Sequence, residues 1–180
     1  MVHYTCKVVM LGEGGVGKTS LIRRYVKRTF SHNYITTVGS NFLIKKVDLG
    51  EGNRMTMQLW DISGQDSFRT IRPQYYLHSH AGILTFDLTR VSTFHELNKW
   101  YKDFTKKTGE VPLMLFGNKY DLKTDREVLP YDGADAAERY KAVYVETSAL
   151  DGTGVEAAFS VLARKIVEHI QQRLQTQRDL

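Results

Sequence analysis

Residues 12–19 read GEGGVGKT, and the fold of the chain can be inferred outward from this segment. It matches the pattern GxxxxGK[ST], and it stands between an apolar run at residues 6–11 and a helix-compatible run at residues 20–26. Glycines let a loop curl so that successive backbone N–H groups point inward at an anion, and the following helix adds its positive end. The pattern therefore predicts a phosphate-binding loop between a strand and a helix.

Side chains at the end of this loop extend the prediction to a metal ion. Lys18 adds a mobile positive charge, and the hydroxyl of Thr19 is suited to Mg²⁺, a hard cation that prefers oxygen ligands. The loop alone fits ATPases and kinases equally well. The residues expected to bind phosphate are Gly14, Gly15, Val16, Gly17, Lys18, Thr19 and Ser20.

Apolar runs elsewhere in the chain predict the sheet around this loop. Short runs at residues 6–11, 83–86, 113–116 and 142–145 are typical of strands buried on both faces, and helix-like stretches separate them. Two alternating segments, 41–49 and 55–60, flank a turn at residues 50–53 and predict an antiparallel hairpin at one edge. We therefore expect an α/β fold, doubly wound, with a mostly parallel six-stranded sheet, one antiparallel edge strand and helices on both faces.

The final helix is predicted to begin at about Val155. Apolar side chains then recur at spacings of three and four, and this stripe should dock on the sheet, whereas the polar residues 171–180 could fray without disturbing the core. The stripe consists of Phe159, Leu162, Ile166, Ile170 and Leu174.

A second loop follows the hairpin and has the pattern DxxGQ. Because ligands of such sheets lie beyond the carboxyl ends of the strands, this loop should face the same site as the phosphate loop. Asp61 is expected to hold the magnesium through water, the Gly64 N–H to reach a terminal phosphate, and Gln65 to orient an attacking water. An Asp and a Gly that merely turn off a strand are the ordinary alternative, which the position after the hairpin disfavours.

A third loop discriminates between bases. Residues 118–121 have the pattern NKxD, in which the Asp121 carboxylate can accept the ring N–H and the amino group of guanine, donors that adenine does not present in that arrangement. Asn118 is expected to tie this loop to the phosphate loop, and the stem of Lys119 to lie over the base. By itself such a tetrapeptide is equally a surface turn, but with the first two loops it indicates guanine.

The fourth loop, ETSAL at residues 146–150, follows the last predicted strand. The Ala149 N–H is expected to donate to the guanine oxygen and Ser148 to brace Asp121, with Leu150 beside them. Taken alone this loop is unremarkable, and its place before the final helix makes it the fourth member of the set.

Composition excludes several other classes of protein. The 180 residues are 42% hydrophobic and 25% charged, which fits a single domain over residues 1–180. The net charge of +5 is scattered, so we expect no nucleic-acid partner. One cysteine, Cys6, excludes a disulfide framework, and no apolar stretch or N-terminal signal indicates a membrane span or export. A cytoplasmic monomer is the expectation.

The four loops, in this order, resemble the Ras superfamily of small GTPases, and the flanking sequence is most similar to its Rab branch. Residues 60–68, WDISGQDSF, are similar to the Rab pattern WDTAGQERF, and the resemblance runs from about residue 8 to 162. It implies that Thr37 is a second magnesium ligand and that Phe30 packs edge-on against guanine. It also implies switch segments at about residues 31–41 and 62–76, with Lys18, Thr37 and Gln65 acting in catalysis.

The resemblance also implies partners. A Rab-like protein binds effectors in the GTP state, an exchange factor and a GTPase-activating protein, and its aromatic triad corresponds to Phe42, Trp60 and Tyr75. The alternative for these three is that they simply cover the core beneath the hairpin. No arginine is evident in cis, so we expect slow intrinsic hydrolysis that an activating protein accelerates.

By analogy the chain is expected to regulate vesicle or membrane traffic. Residues 175–180 contain no cysteine, so no prenyl anchor is expected there, and recruitment to membranes would be peripheral. Three alternatives stay open: a switch in a non-trafficking cytosolic pathway, a non-hydrolysing scaffold that keeps its nucleotide, and an ATP-dependent nucleotide kinase. Intact Thr37, Gly64 and Gln65 argue against the scaffold, and Asp121 argues against the kinase.

Overall fold

The computed structural model describes residues 1–31 and 37–178, which form a six-stranded sheet with helices on both faces. The strands are β1 (His3–Leu11), β2 (Ser40–Gly50), β3 (Asn53–Ile62), β4 (Ala81–Asp87), β5 (Leu113–Asn118) and β6 (Val143–Thr147). The helices are α1 (Lys18–Lys27), α2 (Arg72–Tyr76), α3 (Val91–His95), α4 (Leu97–Thr108), α5 (Pro130–Arg139) and α6 (Val155–Arg178). Two 3₁₀ turns, Asp66–Phe68 and Lys123–Asp125, precede α2 and α5.

The order of the strands across the sheet explains where the site lies. The order is β2-β3-β1-β4-β5-β6, with β2 antiparallel to β3 and every other neighbouring pair parallel. The chain winds from β1 toward one edge and then returns past β1 toward the other edge, so the loop after β1 lies at the topological switch point. The loops after β3, β5 and β6 reach the same end, and the predicted fold class is confirmed.

The C-terminal half of β1, residues 8–11, is buried on both faces, as its apolar sequence predicts. Val8 and Met10 pack into a core with α1 and α6, whereas Val9 and Leu11 pack into a second core with α4 and α5. All four side chains have 0% of their surface exposed. A strand covered on both sides needs no polar face, because helices replace solvent on each side of the sheet.

The hairpin forms as predicted because its turn suits a left-handed backbone. Gly50, Glu51 and Gly52 have φ values of 82°, 51° and 75°, and two of these three positions carry glycine, which adopts positive φ without steric cost. Gly50 pairs with Asn53 across the turn. The resulting register places Phe42 opposite Trp60.

The last helix begins at Val155, as predicted. It continues to Arg178, through most of the polar segment that the sequence leaves free to fray. Its stripe docks through Phe159, Leu162 and Ile166, which are at most 1% exposed, whereas Leu174 is 52% exposed. Ile170 still packs against the core but Leu174 does not, so the apolar spacing continues beyond the docked part of the helix. Among the described residues, no helix is long and apolar enough to cross a membrane.

Candidate functional site

A pocket of about 290 Å³ lies at the carboxyl ends of the parallel strands, and all four predicted loops contribute to its wall. Val16, Asp61 and Ser148 stand just behind the wall and are almost fully buried. Residues 32–36 of the predicted first switch segment lie outside the described residues. The predicted residues that line the pocket are Gly14, Gly15, Gly17, Lys18, Thr19, Ser20, Phe30, Thr37, Gly64, Gln65, Asn118, Lys119, Asp121, Ala149 and Leu150.

The phosphate loop closes tightly at its glycines. Gly17, the N-cap of α1, has a φ of 100°, and a Cβ added to it would come within 2.2 Å of the Asn118 Nδ2 atom. The same Asn118 nitrogen donates to the Val16 carbonyl at 2.8 Å, and the Thr147 hydroxyl donates to the Asn118 Oδ1 atom at 3.2 Å. Asn118 therefore joins the phosphate loop to the NKxD loop, in the position expected from the sequence.

Lys18 is folded back onto the loop. Its Nζ donates to the carbonyls of Gly12 at 2.6 Å and Glu13 at 2.8 Å, and the residue is 6% exposed. Burial lowers the pKa of Lys18 to about 8, against the opposing effect of the negative charges of Asp61 and Glu13. No carboxylate among the described residues forms an ion pair with Lys18. A buried ammonium held only by carbonyls fits a site whose ligand brings its own negative charge.

Three oxygen-bearing side chains converge beside Lys18. The Thr19 hydroxyl lies 2.5 Å from Asp61 Oδ2 and 2.9 Å from the Thr37 hydroxyl, which in turn lies 3.2 Å from Asp61 Oδ2. The other oxygen, Asp61 Oδ1, is buried and has no hydrogen-bond partner in the described part of the chain. Burial raises the pKa of Asp61, although the hydrogen bond from Thr19 and the charge of Lys18 oppose this.

This set of oxygens fits a hard cation. A buried carboxylate oxygen without a donor is costly, and a bound Mg²⁺ would satisfy it directly or through water. No group of three His, Cys, Asp or Glu side chains suited to a metal occurs within residues 1–31 and 37–178, so hydroxyls and phosphate oxygens would have to complete the coordination. Thr19, Thr37 and Asp61 would hold the ion, which when bound would neutralise phosphate charge.

The DxxGQ loop lies directly against the phosphate loop. Gln65 has an exposed side chain at the pocket mouth, and its carbonyl accepts a hydrogen bond from Arg72. Arg72 also donates to the Ser63 carbonyl at 3.1 Å, and its guanidinium lies 4.2 Å from the centroid of the Trp100 ring. Trp100 donates in turn to the Glu13 carboxylate at 2.8 Å. Arg72 and Trp100 thus fix the backbone around Gln65 to the phosphate loop.

Sequence reasoning missed this connection. Trp100 occupies an apolar position of α4 together with Leu97 and Phe104, which is the signature of an ordinary core residue. Arg72 is a charged side chain in a short helix, yet it is only 3% exposed. The sequence shows only that an arginine stands seven residues after Gln65. This spacing does not predict which residues Arg72 contacts.

The opposite end of the pocket holds the residues predicted to bind guanine. The Ser148 hydroxyl donates to the Asp121 carboxylate at 2.5 Å, and Phe30 and Leu150 line the same end of the pocket. Arg24 of α1 donates to the carbonyls of Ala149, at 2.7 Å, and Leu150. Arg24 was not among the predicted site residues, and it anchors the fourth loop to the helix that follows the phosphate loop.

Lys119 is held in place by a buried acid. Its Nζ lies 2.6 Å from Asp87 Oδ2, and Asp87 at the end of β4 is 0% exposed. Burial raises the pKa of Asp87, but hydrogen bonds from Lys119 and Thr89 outweigh that effect and keep the pKa below its usual value. Asp87 is therefore a charged brace for the base-binding loop.

The three predicted effector aromatics form one cluster outside the pocket. The Phe42 and Trp60 rings stack with centroids 5.3 Å apart, and the Trp60 and Tyr75 centroids are 6.2 Å apart. Trp60 and Tyr75 pack against the core, whereas Phe42 is 49% exposed. The Lys7 ammonium lies 4.5 Å from the Trp60 ring centroid. The cluster therefore combines two half-buried rings, Trp60 and Tyr75, with the exposed ring of Phe42.

Comparison with known proteins agrees with this geometry. The sequence pattern that defines the Ras family matches residues 7–168 of this chain. The chain is 41% identical over 172 residues to the GTP-binding protein YPT1 of Saccharomyces cerevisiae, which covers 94% of this chain and 82% of that protein. It is 39% identical over 169 residues to human Ras-related protein Rab-21, covering 93% and 75% of the two chains, and 38% identical over 167 residues to mouse Ras-related protein Rab-17, covering 92% and 77%.

Proposed function

This chain belongs to the Ras family, and on that premise we propose that it is a Rab-like GTP-binding switch that hydrolyses GTP to GDP and phosphate and regulates vesicle traffic. The observation that carries the proposal is the single pocket in which the phosphate loop and Asp121 meet. The phosphate loop alone is shared by many nucleotide enzymes. The carboxylate at the far end of the pocket supports guanine as the base.

Recognition of guanine rests on a braced acceptor. Asp121 accepts the ring N–H and the amino group of the base, while Ser148 fixes the carboxylate and the Ala149 N–H donates to the guanine oxygen. Phe30, Lys119 and Leu150 enclose the base. Adenine would leave this acceptor without the two donors that guanine supplies, which is the kind of mismatch that gives strong discrimination.

Phosphoryl transfer to water depends mainly on position and charge. The backbone N–H groups of residues 14–20 and the Lys18 ammonium bind the phosphates. Thr19, Thr37 and Asp61 would hold Mg²⁺, which when bound would supply further positive charge. Gln65, whose side chain is exposed at the pocket mouth, orients the attacking water. We expect intrinsic turnover on the order of 10⁻⁴ s⁻¹, as in Ras, and acceleration by an activating protein.

Switching follows from two contacts with the terminal phosphate. Thr37 and the Gly64 N–H bind it in the GTP state and release it after hydrolysis, so that the segments at residues 31–41 and 62–76 change together. Effectors then distinguish the two states through the cluster of Phe42, Trp60 and Tyr75. An exchange factor restores GTP. The chain acts as a cytoplasmic monomer that associates peripherally with membranes.

Single-turnover hydrolysis tests the proposal. Wild-type protein loaded with GTP and Mg²⁺ should hydrolyse it slowly, and Gln65→Leu should reduce the rate by at least about tenfold without weakening GTP binding. Gln74→Leu is the matched control, because Gln74 is an exposed glutamine of α2 outside the pocket. Full activity in Gln65→Leu, or no hydrolysis by the wild type, would contradict the assignment.

A further inference from the structure

Arg90 occupies a position between the phosphate loop and the base-binding loop. Its Nη2 atom donates to the Gly14 carbonyl at 2.9 Å, and its Nε atom donates to Asp87 Oδ2 at 3.0 Å. No arginine in cis is evident from the sequence, because Arg90 lies in the loop after β4, outside the four motifs. The structure brings it to the outer side of the loop that is expected to bind the phosphates.

Arg90 holds a peptide group whose rotation meets little steric resistance. The Gly14–Gly15 peptide is flanked by glycine on both sides, and Gly15 has a φ of 75°. The plane of such a peptide can rotate by about 180° with little steric resistance, since neither residue has a Cβ. In a trans peptide the carbonyl and the N–H point in opposite directions. An outside anchor on the Gly14 carbonyl therefore directs the Gly15 N–H to the inner side of the loop, where both residues line the pocket.

The anchor itself is fixed at its other end. Asp87 is fully buried, accepts hydrogen bonds from the Thr89 N–H and hydroxyl at 2.9 and 2.7 Å, and pairs with Lys119. The planar guanidinium of Arg90 spans this carboxylate and the Gly14 carbonyl. One buried acid thus holds both the base-binding lysine and the arginine that reaches the phosphate loop.

We propose that Arg90 is a positioning residue for GTP hydrolysis, which fixes the Gly14–Gly15 peptide so that the Gly15 N–H faces the phosphates. The proposal rests on the proposed function, since it needs a phosphate in the pocket. A cationic donor on the carbonyl also polarises the peptide and strengthens its N–H as a donor. Arg90 acts through this peptide, and its own guanidinium stays outside the pocket wall.

Two readouts separate this role from that of a simple surface brace. The first is the amide proton signal of Gly15 in the GDP-bound protein, which reports whether this N–H donates to phosphate. The second is the single-turnover rate of GTP hydrolysis, measured beside the rate of GDP release. The variants are Arg90→Ala and Arg90→Lys, and the control is Arg164→Ala, which removes an exposed arginine of α6.

In Arg90→Ala we expect the Gly15 signal to move upfield toward that of a solvated amide and the hydrolysis rate to fall about tenfold, the scale of a lost charge-assisted hydrogen bond. Arg90→Lys keeps the positive charge but lacks the planar guanidinium that can donate to two acceptors at once. The shift of the Gly15 signal and the fall in hydrolysis rate should therefore both be smaller than in Arg90→Ala. Arg164→Ala should match the wild type. Arg90→Ala is expected to fold normally, because the side chain is 44% exposed.

An unmoved Gly15 signal in Arg90→Ala would overturn the proposal whatever the hydrolysis rate, because Arg90 would then act elsewhere. A moved signal with an unchanged hydrolysis rate would overturn it as well, because the peptide would not matter for the reaction. Failure of the wild type to hydrolyse GTP would instead contradict the proposed function. The Gly15 signal in the GDP-bound form would then still show whether Arg90 orients the Gly14–Gly15 peptide.

Discussion

Gly64 lies so close to Gly14 that a Cβ on Gly64 would come within 2.4 Å of the Gly14 nitrogen and of the Glu13 carbonyl carbon. The obstacle is backbone on both counts, so neither loop can yield by rotating a side chain. Gly14 differs, because a Cβ built on it meets no atom within 4 Å. A side chain would therefore collide with the backbone at Gly64, whereas the space around Gly14 is open.

This contrast predicts the effect of adding a methyl group. Gly64→Ala should prevent the DxxGQ loop from closing on the phosphate loop, because overpacking against fixed backbone costs about 1–3 kcal/mol or more. We expect GTP hydrolysis to fall by at least about tenfold, while GDP binding persists. Gly14→Ala should leave GDP affinity and the unfolding temperature of the GDP form close to wild type. Titration with labelled nucleotide and thermal unfolding measure both, and unimpaired hydrolysis by Gly64→Ala would be incompatible with the observed packing.

Arg72→Ala should weaken the support of Gln65. The change removes two hydrogen bonds to the Ser63 and Gln65 carbonyls and the contact with Trp100, so we expect a loss of about 2 kcal/mol in unfolding free energy and slower GTP hydrolysis. Arg69→Ala, which removes an exposed arginine nearby, is the control. Urea unfolding at saturating GDP and single-turnover assays measure the two effects. Equal stability of the two variants would show that the buried guanidinium contributes nothing.

Cys6 should be chemically inert in the folded protein. It is the only cysteine, is 0% exposed, and burial raises its pKa to about 12, so almost no thiolate exists at pH 8. A thiol reagent such as Ellman's reagent should therefore release one equivalent of dye only after unfolding in guanidinium chloride. Rapid release of one equivalent from the native, nucleotide-bound protein would contradict the placement of Cys6 in β1.

The pair of Glu146 and Arg126 should make stability depend on pH. Two hydrogen bonds of 2.8 and 2.7 Å from Arg126, together with one from Tyr144, hold the pKa of Glu146 below its ordinary value even though burial opposes this. The stabilisation is complete above the unfolded-state pKa, about 4.3, and is lost as pH falls through the lower folded-state pKa.

We therefore expect Glu146→Gln to cost about 1 kcal/mol of unfolding free energy at pH 7, with the difference from wild type shrinking below about pH 4. Glu110→Gln, which breaks an exposed pair with Lys141, should have little effect at either pH. Denaturant unfolding at a series of pH values gives both curves. If the difference in unfolding free energy between wild type and Glu146→Gln grew toward acid pH, the pKa of Glu146 would be raised rather than lowered by folding.

The sequence was sufficient where a local pattern has a single structural solution. The glycines of residues 12–19, the turn at residues 50–53 and the apolar strand around Val9 each constrain the backbone directly, and the structure has them as predicted. The contacts of Arg72 and Arg90 were not predictable, because they depend on which loops meet after folding. For Leu174 a local pattern gave the wrong prediction. Its spacing in α6 indicated burial, but the side chain is 52% exposed because no other element of the described chain covers it.

The preference for GTP over ATP is the sharpest check on a guanine-nucleotide switch. Equilibrium titration with labelled GTP and ATP in the presence of Mg²⁺ should show GTP binding at least about a thousandfold more tightly, since adenine leaves Asp121 unpaired. Asp121→Asn should weaken GTP and GDP and favour xanthine nucleotides, whose ring oxygen needs a donor where guanine offers an amino group. Equal affinity of the wild type for ATP and GTP, or an unchanged preference in Asp121→Asn, would contradict the assignment of this chain as a guanine-nucleotide switch.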